Sequence, residues 1–131
     1  MANEWVKVEL YGANNDGDVR RYDILDTIAC SRGQLLALAN PRMASTAVLA
    51  TNMFAGVASE EKCANDGTTS ISCWTNGIFD VHASSATAIG VAVTGNQLNQ
   101  VEKTTNTGAE CIGYILEAAE ENQVVNVRLN L

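Results

Sequence analysis

ECIGYILEAAEENQVVNVRLNL, residues 110–131, reads as two strands joined by a tight polar turn. From Val125 the apolar residues alternate without a break: Val125, Val127, Leu129 and Leu131 fall on one face, Asn126, Arg128 and Asn130 on the other. A period of two is what a strand buried on one side requires, because successive side chains point to opposite faces. Residues 111–116 form an apolar run of strand length before it, and Glu120, Glu121, Asn122 and Gln123 supply the break. Such a C-terminal strand is expected inside a sheet, which leaves the N-terminus as the freer end.

The same signals recur upstream. Residues 88–93 and 97–101 read as a small hairpin around Gly95 and Asn96. Residues 68–81, TTSISCWTNGIFDV, are strand-like but set two rules in conflict. Asn76-Gly77 between apolar residues is a strong hairpin signal, whereas a lone glycine in a strand marks a bulge or bend. The residues alone leave both readings open. FAGVA at 54–58 and residues 34–39, stopped by Asn40-Pro41, read as short buried strands, while residues 43–53 fit either a helical turn or a strand. At the start, EWVKVELY (4–11) and VRRYDIL (19–25) alternate on either side of a loop of Gly, Asn and Asp, and read as an N-terminal hairpin.

About eight short strands with regular turn signals and no strong amphipathic helix make an all-β domain, a small barrel or sandwich. Residues 33–131 are expected to form its core. Residues 1–26, more charged, are expected to be an appended hairpin or arm, with an ordinary edge hairpin blunted by charge as the plainer reading.

Composition excludes several classes of function. A chain of 131 residues is one domain by size. Its 47% apolar content includes only 5% aromatics, which suits thin layers better than a deep ligand pocket. A net charge of −7 argues against nucleic acid, since phosphate binding depends on Lys and Arg displacing counterions. Neither a signal peptide nor a run near the ~18–20 apolar residues of a membrane helix is present, so a soluble protein made in a cytoplasm is expected.

Catalytic and metal motifs are weak. His82 is the single histidine, with Asp80 two residues away on the same strand face, and it reads as a surface side chain without a role. Asn14, Asp16 and Gly17 resemble part of a calcium loop, but Gly12 would stand at the first ligand position and Asp23 at the last, so a solvated turn is expected instead. No metal, cofactor or catalytic residue is assigned. Among Cys30, Cys63, Cys73 and Cys111 there is no Cys-x-x-Cys pair. A bridge between Cys63 and Cys73 is the one candidate disulfide, and buried free thiols are the preferred reading. Trp5 and Tyr11 fall on the polar face of the first strand, where aromatics serve as protein–protein anchors or, equally, pack over the end of a barrel.

Read as a string, residues 33–131 resemble the head decoration, or capsid cement, proteins of tailed bacteriophages. The resemblance rests on FAGVA (54–58), GIFDV (77–81), AIGVAVTGNQLNQV (88–101) and IGYILEAAEENQVVNVRLNL (112–131), in that order. It implies a small β-barrel or tulip-like fold, often trimeric, that binds the outside of a matured capsid and reinforces junctions between major capsid protein subunits. It also implies that the strand holding Gly77 runs on from the one before, which favours a bulge at Gly77 over a hairpin, and that an N-terminal segment engages the shell. Trp5, Val6, Val8, Leu10 and Tyr11 are the expected capsid-contact residues, through strand addition to an exposed sheet edge. Deleting residues 1–25 is then expected to abolish binding and leave the barrel folded. Alternatives are a head-fibre base or host-recognition scaffold, whose extra domain would be expected to follow the barrel, a small enzyme using His82, and a calcium- or carbohydrate-binding module.

Overall fold

FAGVA is buried at every position. A strand that alternates nothing must be covered on both faces, and the architecture supplies both covers. The structure, a computed structural model, describes residues 3–10, 19–40, 42–46, 53–96, 98–104, 111–118 and 120–130.

Eleven strands occur among the described residues: β1 (Val6–Glu9), β2 (Val19–Ile24), β3 (Leu35–Asn40), β4 (Met43–Ser45), β5 (Phe54–Ala58), β6 (Ser70–Trp74), β7 (Asn76–His82), β8 (Ala92–Gly95), β9 (Val101–Lys103), β10 (Gly113–Ile115) and β11 (Val124–Asn130). Five close into a barrel in the order β2-β4-β3-β5-β6, and six form a sheet in the order β1-β7-β11-β10-β8-β9. The fold is all-β, as the alternation predicts.

The sheet packs against one wall of the barrel. On β5, Phe54 and Val57 face the sheet while Ala55 and Ala58 point into the barrel, and on β3 Leu35 and Ala37 face the sheet while Leu36 points inward. The barrel interior is filled by Ile24, Cys30, Leu36, Ala44, Ala55, Ala58, Ile71 and Cys73. Five strands enclose little space, which is why alanine and cysteine fill it and why the chain needs so few aromatics. Most of the larger apolar side chains lie in the second core, where Phe79, Val81, Val125, Val127 and Leu129 of the sheet meet Trp74 and Phe54.

The closing strands pair as expected: Gly113, Tyr114 and Ile115 of β10 face Leu129, Arg128 and Val127 of β11. β8 and β9 form the second hairpin, displaced from the expected strands, with Gly95 opposite Val101. Residues 43–45 take the strand alternative, and residues 47–52 lie outside the described residues.

Asn76-Gly77 does not turn the chain into a β6–β7 hairpin. β6 belongs to the barrel and β7 to the sheet, so the chain runs on through Thr75 and changes layer. Gly77 takes φ +135, which a side chain rarely adopts, and a Cβ there would press on the Glu9 carbonyl at 2.9 Å. β7 stays in unbroken register with β11. The bulge is in β1 instead, which skips Val8 between Lys7 and Glu9.

The N-terminal hairpin requires correction. β1 pairs antiparallel with β7 and β2 pairs antiparallel with β6, so the two lie in different sheets and not against each other. Because β6 and β7 are one run, β1 and β2 follow it end to end: Val6 opposes Asp80 and Glu9 opposes Ile78, then Val19 opposes Trp74 and Asp23 opposes Ser70. Alternation identifies a strand but not its partner. β2 also pairs with β4 and thereby closes the barrel, so residues 19–24 are part of the core and not an appendage.

Candidate interaction surface

An open sheet has two edges, each a row of unpaired backbone groups. Here they are β1 and β9. The β9 edge is covered by the chain leaving β7: Ala83 bridges to Val101, and the Ser84 N–H donates to the Val101 carbonyl at 2.8 Å. β1 pairs on one flank with β7, and its other flank has no partner strand among the described residues. All four of its residues are exposed, including Val6 at 53% and Val8 at 55%. Shallow concavities border it, one lined by residues 7–10 and one by Glu4, Trp5, Lys7, Arg32 and Trp74.

The expected contact residues are therefore divided. Val6 and Val8 are on the surface, but Trp5 is 1% exposed and Leu10 is buried. This corrects the placing of Trp5 on a polar outer face. It lies just before the strand proper, packs edge-on against Phe79 at 5.9 Å, and donates its Nε1–H to the Asn99 carbonyl at 3.1 Å. It caps the core between the layers, the plainer of its two expected roles. Tyr11 lies outside the described residues. Trp74, 5.7 Å from Phe79, has Lys7 Nζ and Arg32 Cζ at 5.5 and 5.6 Å from its ring centroid. These cations are held against the aromatic face by its quadrupole.

The outer face of the sheet continues from Val6. Across the strands run Val6, Asp80 and Asn126 in one row, and Ile78, Arg128, Tyr114 and Ala92 in another. Val124, opposite His82, adds an exposed apolar group, and Tyr114 and Leu116 are exposed beside it. His82 and Asp80 share this face, opposite Val124 and Asn126. A cleft of about 420 Å³ opens at the other end of β7, lined by Arg20, Tyr22, Leu38, Met53, Thr75 and Asn130.

Cys63 and Cys73 are free, which corrects the candidate bridge: Cys63 is exposed, whereas Cys73 points into the barrel. Burial pushes the Cys73 thiol up to about 12 and raises that of Cys30. Of the expected calcium loop, residues 12–18 lie outside the described residues, and Asp23 is a β2 residue opposite Met43 and Ser70. No cluster of metal-binding side chains occurs among the described residues.

Two polar side chains that the sequence does not advertise organise the molecule. Lys62 is buried, and its Nζ donates to the carbonyls of Asp26 and Ile28 at 2.8 Å and of Cys63 at 3.2 Å. Asp66 Oδ1 lies 3.5 Å away and Asp26 Oδ1 3.9 Å. This ammonium ties the two loops at one end of the barrel. Asn99 is 5% exposed, and its side chain bonds to Asn3 at the N-terminal end and to Gly33 and Leu35 at the start of β3. In the sequence SEEKC reads as a polar connection and residues 97–101 as a hairpin strand, and nothing local marks one lysine or one asparagine in them as buried.

Residues 17–131 match the family described as phage cement protein. The chain belongs to that family. No curated protein matches it. Among solved structures it is similar to the N base of head fibre gp8.5 of bacteriophage phi29, at 20% identity and a TM-score of 0.57, over 86% of this chain and 93% of that one. At that identity the likeness establishes the shared β fold. As a phage cement protein the chain is a virion structural protein that reinforces the capsid. The match begins at residue 17, so it takes in β2 and every later strand among the described residues and leaves β1 outside.

Proposed function

We propose that this cement protein, made in the host cytoplasm, binds the capsid exterior through the open edge of β1 and contacts the major capsid protein there. The observation that carries the reading is the asymmetry of the sheet's two edges: the chain leaving β7 pairs with β9 at Val101, whereas the outer flank of β1 has no partner strand among the described residues. Main-chain pairing to an extended capsid segment supplies affinity, and Val6 and Val8 supply side-chain contacts. Lys7, Glu9 and the bulge at Val8 restrict such pairing to a strand of matching charge and register, as natural edges do.

The copies act as homotrimers, each contact weak and the sum strong through avidity. The apolar groups on the outer sheet face, Tyr114, Leu116 and Val124, extend the surface for these contacts. Heating purified mature capsids with and without the protein tests the reinforcement: decorated shells rupture at a higher temperature. Equal rupture temperatures would reject it. The mass of the free protein in solution tests the trimer.

A second reading, a head-fibre base carrying a further virion component, is supported by the fold likeness to the phi29 head fibre base. Co-purification of a fibre-like partner with decorated capsids distinguishes it from a cement that acts alone.

A further inference from the structure

We propose that the Asn99 side chain is the latch that holds the N-terminal strand in its docked register, and so presents the β1 edge. The inference rests on the reading of that edge as the capsid contact.

The strand itself contributes little to its own docking. All four residues of β1 are exposed, and its pairing with β7 is interrupted by the bulge. What fixes it lies at its ends: Leu10 against Gly77, and the segment of Asn3 and Trp5 against residues 33 and 98–99. At this second end the Asn99 carboxamide uses both of its polar atoms. Oδ1 accepts from the Leu35 N–H at 2.7 Å, and Nδ2 donates to the Asn3 and Gly33 carbonyls, each at 2.9 Å. One acceptor facing an N–H and two donors facing carbonyls fix the orientation of the amide.

Around it, the Trp5 indole donates to the Asn99 carbonyl, Asn3 Nδ2 donates to the Leu98 carbonyl at 2.9 Å, and the Trp5 N–H donates to the Gly33 carbonyl at 3.0 Å. Asn99 also takes φ +61, a left-handed conformation that asparagine tolerates better than most residues. One side chain thus joins the N-terminal segment, the start of β3 and the β8–β9 loop. Losing its donors takes that partner from the Asn3 carbonyl and leaves the Gly33 carbonyl with the Trp5 N–H alone, at a cost that burial raises.

The test is Asn99→Asp in the full chain, read by hydrogen exchange. The aspartate keeps an acceptor for Leu35 but loses both donors and sets a carboxylate against two carbonyls. Backbone amides of residues 5–9 should exchange at least tenfold faster, while those of β10 and β11 keep their protection. In a Trp74→Phe background the Trp5 emission should shift to the red. Unchanged exchange at residues 5–9, or equal acceleration of all strands, would overturn the latch. If Asn99→Asp does not fold, Trp5→Phe removes one hydrogen bond of the same junction and should show the same local pattern more weakly; uniform exchange would overturn it there. Capsid binding separates the two readings: accelerated exchange at 5–9 with undiminished decoration keeps the latch and discards the β1 edge as the contact.

Discussion

β5 and β1 are opposite solutions to being a strand. β5 is buried on both faces and shared by both cores, while β1 exposes every residue and leaves one flank unpaired. The first can carry stability and little else. The second carries almost no burial and so is free to be shaped by a partner. On the proposed reading of β1 as the capsid contact, the stiff part and the adhesive part are thereby separated, although both are short strands with apolar residues in the sequence.

The largest effect expected from breaking this contrast is on the stiff side. Phe54→Ala should cost about 3–5 kcal/mol, the usual loss when a buried aromatic is truncated, measured by denaturant unfolding. Val6→Ser with Val8→Ser should change stability by no more than about 0.5 kcal/mol, as exposed substitutions do. If the β1 pair proves as costly as Phe54→Ala, β1 is a structural strand and the contrast fails.

Next in size is the loop tie. Lys62→Met removes the ammonium from three carbonyls and two carboxylates, and should cost about 3 kcal/mol. The loss should appear as faster hydrogen exchange at residues 26–30 and 62–66 first, with β1 unaffected.

How much of this was legible follows from where the information lies. The alternation of Val125, Val127 and Leu129, and the unbroken apolar run FAGVA, announce strands and their degree of cover directly. The partner of each strand is not local information. VRRYDIL looks like the return arm of a hairpin with EWVKVELY, yet the run from Ser70 to His82 offers both of them a longer edge to follow. The expectation that deleting residues 1–25 leaves the barrel folded falls with that hairpin, since β2 closes the barrel and Trp5 caps the core. Alternation separates Trp5 from Val6 and Val8 but does not say which side is buried; the structure buries Trp5 and exposes the two valines, and the bulge at Val8 returns Leu10 to the buried side. Asn99 and Lys62 are illegible for a different reason: they are enclosed with partners 34 to 96 residues away in sequence.

A smaller effect concerns thiol access. Iodoacetamide should modify Cys63 in the native protein and spare Cys30 and Cys73, which burial keeps protonated and enclosed. Rapid modification of Cys73 at neutral pH would show the barrel to be open on the timescale of labelling.

The smallest is a pH effect. Hydrogen bonds from the Thr68 and Cys63 N–H groups, aided by Lys62, hold the Asp66 carboxyl below its ordinary value of 3.8. A lowered folded pKa gives a contribution that is complete above the unfolded value and fades as pH falls through the folded one. Asp66→Asn should therefore flatten the stability profile slightly below about pH 4 and leave its shape at neutral pH unchanged.

The most direct measurement is the number of copies bound per mature capsid by Val6→Asp/Val8→Asp protein, after circular dichroism has shown its β structure to match the parent chain. Two carboxylates on an edge that must meet another chain should reduce decoration at least tenfold while thermal unfolding of the free protein stays within a few degrees. Full decoration by the folded double variant would contradict the assignment of β1 as the capsid contact.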